Sequence, residues 1–300
     1  MVIDNLSGGR LKNLKHHKNN KRLIFKKIDI NKISKNKKIF NNISYVFHFA
    51  GIGDIVPSIE NPSNYMTTNV QGTVNVLEAA RYSKVKKFIY AASSSCYGIN
   101  NHRIKENTKI NPQHPYALSK YLGEEAALHW NKVYGLPVNS IRIFNAYGPR
   151  VRTTGVYGAV FGVFFKQKLK NKPLTVIGNG KQSRDFVYVT DVVKANLIAA
   201  QSDMNGEVIN IGTGNPKSVN HLAKLISKDI IHIPKRPGEP NSTHADITKV
   251  KKLLKWKPEV SFEDGVKIML ENINYWKDAP LWDPDSIEKE TKSWFKYLKT

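Results

Sequence analysis

Tyr116 and Lys120 stand four residues apart in the segment Tyr-Ala-Leu-Ser-Lys. On a helix that spacing puts both side chains on one face, one turn from each other. An ammonium beside a phenol favours the phenolate and draws the phenol pKa from about 10 towards neutrality. A tyrosine tuned in this way can take up a proton and return it. Taken alone, the pair reads more simply as an aromatic and a lysine on a solvated helix face. It gains weight from Ala-Ser-Ser-Ser-Cys-Tyr-Gly (92–98) just upstream. Ser93 there supplies a hydroxyl that can hydrogen-bond the same substrate oxygen.

The surrounding segments must bring these groups together. Residues 45–51 and 86–95 are short apolar runs ending in small or hydroxyl residues, and 136–149 is a third run that ends in a Gly-Pro turn. Between them, 67–83 and 116–135 carry apolar residues at helical spacing, the second closed by Gly135. Such alternation predicts a parallel sheet with helices on both faces. Right-handed crossovers then line the strand C-termini along one edge, where ligands bind. Beyond 150 the pattern gives a helix, a strand, and a strand-helix unit at 184–202. Residues 206–215 follow as a strand and turn, then a smaller mixed lobe. A tail rich in tryptophan (276–300) is expected to anchor a terminal helix on the body.

The chain has 300 residues, enough to bury a large core. No apolar run is long enough to cross a membrane, and no signal peptide is visible. Cys96 is the one cysteine, which excludes an internal disulfide and fits the cytoplasm. The net charge of +23 is the feature that would suggest nucleic acid. Its lysines are scattered beside Asn and Ile, without an aromatic-interleaved basic motif, so they read as a solvated surface. His16-His17 has no Cys or carboxylate at ligand spacing, and no metal site is expected.

The motifs together resemble the extended short-chain dehydrogenase/reductases, in their NAD-dependent nucleotide-sugar epimerase/dehydratase group and nearest the UDP-hexose 4-epimerases. The resemblance implies a Rossmann-like doubly wound sheet and a smaller mixed α/β substrate lobe. Residues 1–149 and about 184–212 would form the NAD-binding domain, and about 150–183 and 213–300 the nucleotide-sugar lobe. Ser93, Tyr116 and Lys120 match the catalytic triad. For NAD, the resemblance implicates Asp4, Asn5 and Ser7 in DNLSGGR at the adenosine ribose, and Asp29 and Ile30 at adenine. It adds Phe49, Ala50 and Gly51 in HFAG, Asn69, and Phe144, with Tyr116 and Lys120 shared. For the substrate it implicates Ser94, Ser95, Asn145 at the diphosphate, Arg184, Arg236 and Glu239 at the nucleotide, and Thr243. A homodimer formed through the 67–83 and 116–135 helices is implied as well. Family members carry a strand and GxxGxxG turn before the DNLS-like segment. That unit is not in this chain, which is therefore expected to be truncated at its N-terminus.

The resemblance also narrows the reaction. The 4,6-dehydratases place Asp-Glu directly after the catalytic hydroxyl residue, and the decarboxylases place Glu at the second of those positions. Here the two positions are Ser94 and Ser95. Without an added acid-base pair the simplest outcome for the 4-keto sugar is rotation and return of hydride to its other face, which is 4-epimerisation; the alternatives are another NAD-dependent conversion through a 4-keto sugar, or a truncated non-catalytic remnant that cannot hold NAD. Thr243 in Ser-Thr-His-Ala-Asp (242–246) matches the residue that gates the sugar pocket. A small residue there implies that N-acetylhexosamines are admitted beside plain hexoses.

Overall fold

In the computed structural model, residues 1–33, 37–100, 102–151, 153, 160–235 and 239–298 are described. Among the described residues twelve strands run in chain order. The first six are β1 (Val2–Asp4), β2 (Phe25–Lys27), β3 (Tyr45–His48), β4 (Lys87–Ser93), β5 (Val138–Ile143) and β6 (Ala146–Tyr147). Then come β7 (Leu174–Ile177), β8 (Ser183–Arg184), β9 (Val187–Tyr188), β10 (Glu207–Ile211), β11 (Lys217–Ser218) and β12 (Ile230–Ile233). The helices of the first half are α1 (Ile55–Glu60), α2 (Pro62–Met66), α3 (Gly72–Tyr82) and α4 (Pro115–Tyr134). The second half adds α5 (Val160–Leu169), α6 (Val189–Gln201), α7 (Val219–Ile226), α8 (Thr248–Leu254), α9 (Phe262–Glu271) and α10 (Pro284–Tyr297).

The main sheet is parallel throughout, in the order β10-β5-β4-β3. From Lys87 to Ala92 every residue of β4 is buried, the signature of a strand covered on both faces. Its two faces serve two cores. Phe88 and Tyr90 pack with Val76, Leu77 and Ala80 of α3, whereas Ile89 packs with Ile141, Ile209 and α6. A third core, built on Phe161, Phe164, Phe165, Leu222, Phe262 and Trp276, belongs to the second half of the chain. The parallel α/β arrangement is the one the alternation of segments predicts.

Two places differ from the plain pattern. The helix expected over 67–83 starts with a π-helical turn, Thr67–Gln71, that carries Asn69. Also, among the described residues β1 and β2 pair only with each other, in a separate parallel ribbon. That ribbon is tied to the body by packing: Ile30 and Ile33, just after β2, enter the core shared with α3.

Candidate active site

At the C-terminal edge of the main sheet, a cavity of about 700 Å³ opens between the sheet and the second half of the chain. Its wall includes Ser93, Ser94 and Ser95 after β4, Tyr116 and Lys120 of α4, and Phe144 and Asn145 after β5. Strand C-termini and the residues just beyond them are where open α/β sheets place their ligands.

The reactive wall is built by two local rules. Ser93 ends β4 and caps the short turn Ser94–Tyr97, its Oγ accepting from Ser95 N at 3.2 Å. His114 caps α4 in an analogous way, its Nδ1 accepting from Ala117 N at 3.2 Å, and Pro115 follows at the first helical position. Burial pushes the His114 imidazole down to about 4, which keeps it neutral and able to accept that bond. With both ends set, Tyr116 Oη donates to Ser93 Oγ at 3.4 Å. The His114 ring stacks on the Tyr116 ring, with centroids 5.8 Å apart.

Lys120 is 8% exposed, and burial pushes it down to about 8, against a smaller opposing pull from Glu124. Its ammonium lies 4.5 Å over the Tyr90 ring. Tyr116, Lys120 and Glu124 follow at i, i+4 and i+8 along one stripe of α4. Glu124 in turn accepts from Arg142 Nη2 at 2.5 Å and from Ser140 Oγ at 2.6 Å, both on β5. The expectation that Lys120 draws the Tyr116 phenol towards neutrality is not met. Loss of water pushes Tyr116 upward, opposed by the Ser93 bond and reinforced by Asp54. Among the charges acting on Tyr116, Lys120 does not figure.

Asn69 stands behind the wall instead of in it. Its Oδ1 accepts from Ile52 N at 2.8 Å, and its Nδ2 donates to Ile52 O and Ser119 Oγ. It thereby ties the loop after β3 to α4. A Cβ at Gly51 would meet Asn69 Oδ1 at 2.9 Å, so the close approach requires glycine. Phe49 and Gly51 line the cavity, while Ala50 packs against the core beneath.

At the other end, Arg184 and Glu239 line the cavity and pair at 2.7 Å. Thr243 also faces it, its Oγ1 donating to Asn145 Oδ1 at 2.9 Å. Arg236 lies outside the described residues. Asp4, Asn5, Ser7, Asp29 and Ile30 do not line this cavity. They form a second group at the ends of β1 and β2, where Asn5 Nδ2 donates to Asp29 Oδ2 at 3.2 Å. Asp4 Oδ1 and Asn5 Oδ1 accept from the backbone of their own turn, and Asp29 Oδ1 from Asn31 N. Ile30 is a core residue, 8% exposed. Cys96 is buried and its thiol pushed up to about 12, which leaves it inert.

Among the parts of the wall that sequence reasoning missed are Asp54, Gln182 and Trp294. Asp54 belongs to Gly51-Ile-Gly-Asp, where two glycines straight after a strand end were a signal for a tight ligand loop. Gln182 and Trp294 carry no comparable local signal.

The chain matches the GDP-mannose 4,6 dehydratase family model over residues 2–269, and it belongs to that family of nucleotide-sugar epimerases and dehydratases within the extended short-chain dehydrogenase/reductases. It is 36% identical to a UDP-glucuronate 4-epimerase of Thermodesulfobacterium geofontis, over 86% of this chain and 80% of that protein. Among solved structures, it resembles a UDP-glucuronic acid 4-epimerase from Bacillus cereus in complex with UDP-glucuronic acid and NAD. The TM-score is 0.84 at 32% identity, covering 91% of this chain and 90% of the other. The UDP-N-acetylglucosamine 4-epimerase from Methanobrevibacter ruminantium M1, in complex with UDP-N-acetylmuramic acid, is similar too. There the TM-score is 0.83 at 32% identity, with 90% of each chain covered. The chain is an enzyme of this family.

Proposed function

We propose that the chain is an NAD-dependent 4-epimerase of UDP-hexoses and UDP-N-acetylhexosamines that works through a 4-keto sugar. The observation that carries this reading is the Ser93–Tyr116 hydroxyl pair at 3.4 Å beside Lys120, with serines at 94 and 95. In the dehydratases of the family both positions hold carboxylic residues, and in the decarboxylases the second does.

NAD⁺, when bound, supplies the reversible hydride acceptor and a positive charge. The residues fit such a group. Asn31 Oδ1, beside Asp29 and Ile30, is a buried acceptor without a donor, and it suits an amino group such as that of adenine. The Phe49–Gly51 loop, drawn in by Asn69, leaves backbone at the cavity edge for a diphosphate. In this reading residues 1–149 and about 184–212 hold the cofactor, and about 150–183 and 213–300 hold the nucleotide sugar.

Tyr116 then takes the proton of the sugar 4-hydroxyl, while Ser93 hydrogen-bonds the same oxygen and holds it against the phenol. Lys120, charged below about pH 8, lines the cavity on the same stripe of α4 and would hold the bound cofactor there. Arg184, released from Glu239 or sharing it, grips the diphosphate or uridine. Because the 4-keto sugar meets no second acid-base pair, it turns in the cavity. It then takes the hydride back on its other face, and Tyr116 returns the proton. Thr243, small and turned to Asn145, leaves room for an N-acetyl group. Leu118 and Leu122 of α4 and Tyr82 at the end of α3 stay exposed, which suits pairing of two copies through these helices.

The test is product analysis by NMR after incubating the chain with NAD⁺ and a panel of nucleotide sugars. The expected products are the C4 epimers of UDP-glucose and UDP-N-acetylglucosamine. A 4-keto-6-deoxy sugar as product would refute the reading.

A further inference from the structure

His114 does more at the reactive wall than open α4. The two nitrogens of its imidazole have different tasks. Nδ1 accepts from Ala117 N at 3.2 Å, so it carries no proton. Burial pushes the ring down to about 4, and the neutral ring keeps its single proton on Nε2. The helix cap thereby fixes the tautomer, and Nε2–H is a donor. Among the described residues no group accepts from it. Nor is Nε2 one of the buried polar atoms that lack a partner, so it keeps access to the cavity that His114 lines.

The fold sets this donor beside the reacting groups. The segment before His114 is fastened to the turn that Ser93 caps, with Asn111 N donating to Cys96 O at 2.9 Å. Gly98, at φ 67°, ends that turn, and a Cβ there would collide with Asn111 O. Gln113 Nε2 donates back to Asn111 O at 2.7 Å. On the other side Pro115 fixes its own φ at the first helical position, which leaves the chain little freedom. The His114 ring then lies nearly parallel to the Tyr116 ring, with 8° between planes and 5.8 Å between centroids. Tyr116 and Ser93 mark where the sugar 4-hydroxyl is to lie. A donor on a ring stacked against that phenol faces the substituents next to C4.

We propose that His114 is a substrate-positioning residue whose Nε2–H donates to a hydroxyl beside C4, the 3-hydroxyl or the 6-hydroxyl of the hexose. Held at this second oxygen, the sugar presents its 4-hydroxyl to Ser93 and Tyr116 in the orientation that proton transfer needs. A neutral hydrogen bond changes affinity by only about twofold to tenfold. It therefore aligns the sugar without preventing the 4-keto form from turning. This inference rests on the UDP-sugar reading above.

The experiment is titration calorimetry of UDP, UDP-glucose, UDP-3-deoxyglucose and UDP-6-deoxyglucose against the full chain with NAD⁺. It compares wild type with two variants. His114→Asn keeps an acceptor at the helix cap but is too short to reach the sugar. His114→Phe keeps an aromatic ring against Tyr116 and has neither nitrogen. Wild type is expected to bind one of the two deoxy analogues about fivefold more weakly than UDP-glucose. In both variants UDP-glucose should weaken about fivefold, UDP should bind as before, and the discrimination against that analogue should vanish. A purely structural role would leave the discrimination in place, because substitution and analogue would then act independently. Wild type that tells neither analogue from UDP-glucose, or discrimination that survives in either variant, would overturn the proposal. So would UDP weakening as much as UDP-glucose. The expected binding pattern without conversion of UDP-glucose would refute the proposed reaction and leave the role of His114 standing. Failure of UDP-glucose to bind wild type would overturn both.

Discussion

The wall that carries Ser93, Tyr116 and Lys120 and the ribbon that carries Asp4, Asn5 and Asp29 are held in opposite ways. The first rests on β4, hydrogen-bonded to a neighbour on each side and buried on both faces. The second rests on two three-residue strands bonded only to each other and joined to the body through Ile30 and Ile33. A group on a central strand inherits the rigidity of the whole sheet. A group on an isolated ribbon keeps only what local packing provides, since two strands alone are marginal in water. The proposed chemistry is therefore preorganised, and the ribbon, proposed to hold the adenosine end of the cofactor, is the softer part. The same contrast appears in the polar groups. Glu124 and Arg142 behind the wall are buried and mutually satisfied, whereas Asn31 beside the ribbon keeps an unpartnered acceptor.

The contrast can be tested first at the wall. Tyr116→Phe removes the proton carrier and should lower kcat about 10³-fold while UDP-sugar still binds, as read by steady-state kinetics and calorimetry. A loss under tenfold would remove Tyr116 from the proton step. Next in size, Glu124→Gln leaves Arg142 buried without its counter-charge. Urea denaturation should show a loss of about 3 kcal/mol, because breaking one partner of a buried pair strands the other. A loss below about 1 kcal/mol would mean that the pair is as weak as an exposed one.

Asp29→Ala probes the ribbon, and its effect should fall on cofactor affinity, with NAD⁺ bound about tenfold more weakly. If kcat at saturating NAD⁺ fell by more than the affinity did, the division between chemistry and cofactor grip would be wrong. The smallest effect is in pH. Lys120 is held down to about 8 from 10.5, so its charge is present below that point and lost above it. The kcat/KM profile should accordingly halve near pH 8 and keep falling. Stability should move the other way. Between about 8 and 10.5 the unfolded chain binds more protons at this lysine than the folded chain does, so folding gains as pH rises. A profile flat through pH 9 would mean that the charged lysine is not required.

Much of the wall was legible in the sequence because its cues are local. A strand ending in serines, and Tyr and Lys four apart on a helix capped at both ends, need no distant information. The ligand edge followed from the alternation of strands and helices. Asp54 was less legible because its place in the wall depends on a backbone angle and on bracing from Tyr65 and α10, far apart in the chain. Trp294 was read as an anchor, and only the docking of α10 on α1 shows that it also faces the cavity. The Tyr116 pKa was misjudged for a related reason. Spacing put Lys120 on the same helix face as Tyr116 but could not show that burial and Asp54 govern the phenol.

The most direct test uses UDP-N-acetylglucosamine carrying deuterium at C4, incubated with the chain and NAD⁺ in ordinary water. The account predicts the C4 epimer with the deuterium still on C4, because the hydride leaves and returns within one site while only the hydroxyl proton passes through Tyr116. Epimer with hydrogen at C4, or a dehydrated product, would contradict it.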